Sequence, residues 1–129
     1  MIVLDASVMI AFLDDRDAHH RDAVDVLFRA SRPAMHVVNR AEILVRGVRQ
    51  GDLDELVTVI DRLGIVELER LEGEAIRLAR VRAETGLKMP DSCALMAAEG
   101  YGARLATFDT RLAVVARDRR VDVLPETDA

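Results

Sequence analysis

Five short apolar runs, each separated from the next by one or two segments of helical length, recur along this chain. That alternation constrains the fold more than any single residue does. The runs lie at residues 2–5 (IVLD), 34–38 (AMHVV), 65–71 (IVELERL), 104–108 (RLATF) and 121–125 (VDVLP). Between the first two stand ASVMIAFLDD and HRDAVDVLFRA, the second with Ala23, Val24, Leu27 and Phe28 on one helical face. RAEILVRGVRQG and DELVTVIDRLG follow, each ended by a glycine suited to a helix C-cap. GEAIRLARVRAETG, PDSCALMAAEGYG and TRLAVVARD complete the series. Strands that alternate with helices predict an α/β chain with a mainly parallel five-stranded sheet covered on both faces. Sites in such folds lie outside the carboxyl ends of the strands.

A chain of 129 residues is expected to form one domain over 1–129, large enough to bury a core without disulfides. No repeat, low-complexity stretch or linker interrupts it. The single Cys93 lies in apolar SCALMAA and reads as a core thiol. The opening apolar segment has no basic region before it and is interrupted by Asp5, Asp14 and Asp15. It therefore reads as neither a signal peptide nor a membrane span, and a soluble cytoplasmic protein is expected. The net charge of −5 argues at first sight against a polyphosphate partner. Yet 17 of the 18 basic residues are Arg, the side chain suited to bidentate phosphate contact, and acids gathered in one pocket would leave basic surface elsewhere. Composition leaves the partner open.

Position singles out four carboxylates. Asp5 ends the first strand inside an apolar run, Asp109 ends RLATFD, Asp91 opens a helix after Pro90, and Glu42 falls in the first turns of the helix after AMHVV. In a doubly wound sheet all four can project from one edge, where they would repel one another unless a hard cation such as Mg²⁺ or Mn²⁺ neutralised them. Each alone also fits a structural role. Asp5, Asp91 and Asp109 suit helix starts, and Glu42 could pair with Arg46 one turn on. Thr107, two residues before Asp109, should share its face of the strand, and Ser7 can turn its hydroxyl back toward Asp5.

Other clusters read more plainly. DDRDAHH, residues 14–20, has the composition of a metal site but the placement of a solvated helix entry. His36 alternates within a strand as a packed or surface residue, and Arg77, Arg80 and Arg82 read as a solvated helix face. No phosphate-cradling glycine loop, nucleophile elbow or Cys/His metal spacing is present.

Taken in order, MIVLDASVMIAFL, NRAEIL, MPDSCALMAAE and ATFDTRL resemble the PIN-domain family, and within it the VapC-type toxins of toxin-antitoxin pairs, over nearly the whole chain. The resemblance implies a three-layer α/β/α fold and a Mg²⁺- or Mn²⁺-dependent endoribonuclease. Asp5, Glu42, Asp91 and Asp109 would be its acidic quartet and Thr107 its strand hydroxyl. It further implies an RNA substrate, a cognate VapB-type antitoxin and a homodimer. Rivals fit less well: a haloacid-dehalogenase-type phosphotransferase wants a second Asp where Ser7 stands, and a receiver module wants a strand lysine, whereas Lys88 lies in loop-like GLKMP. A PIN fold without catalysis, serving as a binding module, is the remaining alternative.

Overall fold

The computed structural model describes residues 1–126. In chain order the elements are β1 (Ile2–Leu4), α1 (Ala6–Leu13), α2 (His20–Arg29), β2 (Pro33–Met35), α3 (Val37–Gln50), α4 (Leu53–Arg62), β3 (Val66–Glu67), α5 (Glu74–Thr85), α6 (Met89–Tyr101), β4 (Arg104–Ala106), α7 (Thr110–Asp118) and β5 (Val123–Leu124). The strands form one sheet in the order β3-β2-β1-β4-β5, with every pairing parallel.

Side-chain alternation along β1 shows how the layers arise. Ile2 and Leu4 point to one face, where they join Val8, Met9, Ala23, Leu27, Ile43, Leu56 and Ile60 from α1 to α4. Val3 points to the other, among Val81, Leu95, Met96, Leu112 and Ala116 from α5, α6 and α7. Two cores flank one sheet, which is the expected three-layer α/β/α arrangement. Residues 92–98 of α6 are all buried, Cys93 among them, because this helix lies against the sheet with α5 and α7 around it. No helix among the described residues is long and apolar enough to cross a membrane.

All five strands are shorter than the runs that mark them, β4 for one ending at Ala106 and leaving Thr107 and Phe108 just beyond it, and in two places the difference changes how residues are used. The run AMHVV does not stay extended to residue 38: β2 stops at Met35, and His36 becomes the N-cap of α3, its Nδ1 accepting the backbone N–H of Val38 at 3.1 Å. His36 is therefore a buried capping residue, with Nε2 facing Glu74 Oε2 at 3.2 Å, and not an alternating strand residue. The run at 65–71 yields only Val66–Glu67. Beyond it Leu68 N–H still reaches Met35 O at 2.9 Å, but Leu68 and Leu71 then turn onto the α5–α6 core.

Candidate active site

Growth of the sheet reverses beside β1: β2 and β3 extend it one way, β4 and β5 the other. At such a switch point the segments leaving the two strands depart in different directions and open a crevice at their carboxyl ends. Leu4 pairs with Ala106, and Asp5 N–H donates to Ala106 O at 3.2 Å, so Asp5 and Thr107 stand side by side at that crevice.

Asp5 is 3% exposed. Its Oδ1 accepts from Ser7 Oγ at 2.6 Å and from Val8 N–H at 3.3 Å, and its Oδ2 accepts from Thr107 Oγ1. It is thus the N-cap of α1, as one structural reading allowed. Burial nevertheless outweighs these donors and raises its pKa from 3.8 to about 6, with the charge of Asp91 adding to the rise. The same hydroxyls also accept. Thr107 Oγ1 takes Asp109 N–H at 3.0 Å, and Ser7 Oγ takes Phe108 N–H at 2.9 Å. Residues 107–109 are laced in this way to residues 5–7. Asp109 in turn caps α7 through Leu112 N–H at 2.8 Å.

The other two acids come from the helices across the crevice. Asp91, third residue of α6, is half-buried, and its pKa is raised by burial first and then by Asp109 and Glu42, with Lys88 and Arg111 partly opposing. Glu42 is exposed on the second turn of α3. Its alternative pairing with Arg46 is not formed, and among the described residues no ion pair involves any of the four acids. Asp5, Asp91, Asp109 and Glu42 therefore share one field that Lys88 and Arg111 only partly offset.

Asn39, one turn before Glu42, carried no weight in the sequence reading, although its spacing of three was visible. It is 1% exposed, and its Nδ2 donates to Pro90 O at 3.0 Å and makes a long 3.5 Å contact with Glu42 Oε1. A carbonyl only accepts, so the amide orientation is fixed by Pro90, and Asn39 Oδ1 is left as a buried acceptor with no donor among the described residues. Such an atom needs a partner, and a bound water at the α3–α6 junction would supply one.

The donor set fits a hard divalent cation in kind: all oxygen, carboxylate-rich and without an ion-pair partner among the described residues. Asp5 turns both oxygens to Ser7 and Thr107, and among the described residues no three His, Cys, Asp or Glu side chains stand close enough to enclose an ion as they lie. The 14–20 cluster does not converge on an ion either. Asp14 and Asp17 accept the backbone N–H groups of Arg16 and His19 within their own loop. Cys93 is inert by the same physics that raises Asp5, since burial pushes its thiol up to about 11.

The PIN domain family matches residues 2–118. No curated protein matches the sequence. Among solved structures, the chain is similar to a toxin-antitoxin complex from Klebsiella pneumoniae (19% identity, 88% of this chain and 90% of that one, TM-score 0.74). It is similar to VapBC-1 from nontypeable Haemophilus influenzae (17%, 95% and 96%, TM-score 0.69). It also resembles VapC20 of Mycobacterium tuberculosis, described as a sarcin-ricin loop cleaving toxin (19%, 89% and 95%, TM-score 0.66). At these identities the likeness is one of fold.

Proposed function

Since the chain belongs to the PIN domain family, we propose that it is a Mg²⁺- or Mn²⁺-dependent endoribonuclease acting as the VapC-type toxin of a toxin-antitoxin pair. One observation carries the reading: four carboxylates, two of them with raised pKa values and none in an ion pair among the described residues, gather at the β1/β4 switch point. A module that only bound partners would gain nothing from holding Asp5 at such a cost. The rival phosphotransferase reading loses further ground because Ser7 is committed to positioning Asp5, and the receiver reading because Lys88 caps α6 and lies on no strand.

In this reading Ser7 and Thr107 hold the two oxygens of Asp5, and Thr107 also fixes the backbone of Asp109, so the two acids keep a set relation. Asp5 and Asp109 would be the principal ligands, with Asp91 and Glu42 completing the set or orienting the attacking water. When bound, the ion supplies Lewis-acid stabilisation of charge on the scissile phosphate and lowers the pKa of water toward neutrality. Lys88 and Arg111, near enough to act on Asp91, are placed to meet RNA phosphates at the rim. The products would carry a 5′-phosphate and a 3′-hydroxyl. The partner would be a small VapB-type antitoxin, and an antitoxin Arg can satisfy the same carboxylates by bidentate hydrogen bonds. Toxin-antitoxin complexes among the structures of similar fold support such a partner, and a homodimer is part of the same reading.

The test is incubation with RNA and Mn²⁺ or Mg²⁺, beside Asp5→Asn and Asp109→Asn. Cleavage should be lost in both variants while circular dichroism stays unchanged. Undiminished cleavage in both would refute the assignment.

A further inference from the structure

The segment DDRDAHH, read from composition as a solvated helix entry, is in fact an organised loop. Asp17 N–H bonds Asp14 O and His20 N–H bonds Asp17 O, both at 3.0 Å, while Asp17 Oδ1 takes His19 N–H at 2.8 Å. His20 anchors the loop from below: its Nδ1 lies 2.9 Å from Ala11 O, and its ring sits 6.4 Å from that of Phe12. The result is a fixed position for His19, whose ring stacks on Phe108 with centroids 4.5 Å apart and planes within 6° of parallel.

Phe108 stands between Thr107 and Asp109, and its N–H is held by Ser7. The stack therefore grows out of the acidic crevice itself. The chain has only three Phe, one Tyr and no Trp, and two of these four aromatics, with two of its three histidines, gather at this spot. His19 is exposed, so the ring face turned away from Phe108 is open. Arg16, exposed on the same loop with its Nε 3.4 Å from Asp14 Oδ1, and Arg21, exposed in the first turn of α2, flank it. Unpaired RNA bases are held by stacking on aromatic or histidine rings, with nearby cations taking the backbone.

We infer that the outer face of His19, stacked on Phe108, is a shelf for one unpaired base of the RNA beside the scissile phosphate. This deepens the nuclease reading and rests on it. The site would accept single-stranded or looped RNA and reject a duplex, whose bases are already stacked on one another. Stacking tolerates any base, so the shelf sets strandedness more than sequence.

The experiment uses Asp5→Asn protein, in which cutting should be lost, and a single-stranded oligoribonucleotide carrying 2-aminopurine, whose fluorescence falls on stacking. Adding His19→Ala should weaken binding by about 5- to 150-fold, the range for loss of one stacked base, and abolish the quenching. His19→Phe should preserve both. In the cleaving protein, His19→Ala should raise KM with little change in kcat. Binding and quenching equal to the parent in His19→Ala, or equal affinity for a duplex of the same sequence, overturns the shelf. Should wild-type protein cut RNA while His19→Ala changes nothing, the shelf alone falls. If the protein neither binds nor cuts RNA, the nuclease reading falls with it.

Discussion

Asp5→Asn should stabilise the metal-free protein at neutral pH, although it removes a residue at the centre of the site. The folded state holds the Asp5 proton up to about pH 6, whereas the unfolded chain releases it near 3.8. Below pH 3.8 both states are protonated and nothing is lost. Between the two values the folded state binds a proton that the unfolded state does not, so stability falls as pH rises. Above pH 6 the loss is complete, at about 3 kcal/mol. Asn is neutral throughout. Its Oδ1 can still accept from Ser7 and Val8, and its Nδ2 can donate to Thr107 Oγ1, which must turn its own hydrogen away. Allowing about 1 kcal/mol for that rearrangement leaves a net gain of about 2 kcal/mol at pH 7.5, or about 5–10 °C in Tm. Urea unfolding in EDTA at several pH values reads it directly. The difference between variant and wild type should grow from near zero or slightly negative at pH 4 to its full value above pH 6. A difference independent of pH, or a variant less stable at pH 7.5, would refute the argument that burial of an ionised Asp5 is costly.

Metal should reverse the order. A ligand that binds only the folded state adds about 2.7 kcal/mol at a hundredfold excess over its Kd, so Mn²⁺ should raise the Tm of wild type and raise that of Asp5→Asn much less; equal rises point to nonspecific ion effects. Asn39→Ala should cost about 1–3 kcal/mol, because Pro90 O loses its donor where α3 meets α6. Urea unfolding checks it, and a loss under 0.5 kcal/mol, on the order of an ordinary surface change, would show that this cross-link is dispensable.

Much of the site was legible because it sits where local rules converge. Asp5 and Asp109 each follow a strand and precede a helix, a position that favours a capping carboxylate and a functional one alike, and both do cap the helix that follows. Thr107 was singled out by a strand period of two, yet β4 stops at Ala106 and its hydroxyl reaches Asp5 from the segment just beyond. The failures have tertiary causes. Val37 and Val38 are β-branched and read as strand, but the His36 side chain captures Val38 N–H and starts a helix there. Leu68 and Leu71 leave the sheet edge for a core made by α5 and α6, which no local pattern around residue 70 encodes. Asn39 acts on a carbonyl 51 residues away, and His19 on a ring 89 residues away; neither partnership leaves a trace in nearby sequence.

The placement of β4 between β1 and β5 governs timing as well as geometry. Thr107 and Asp5 are separated by 102 residues, and the hydrogen bond between them forms only after β4 has docked beside β1. At synthesis rates of about 5–20 residues per second, an interval of roughly 5–20 seconds passes between the making of Asp5 and of its partner. Late in that interval β1, α1, β2 and α3 have all been made and can assemble, yet the crevice still lacks Thr107, Asp109 and one of its walls. The nuclease activity proposed above would thus be withheld from the growing chain by topology alone, and a partner made at the same time would have that interval in which to be present when the site closes.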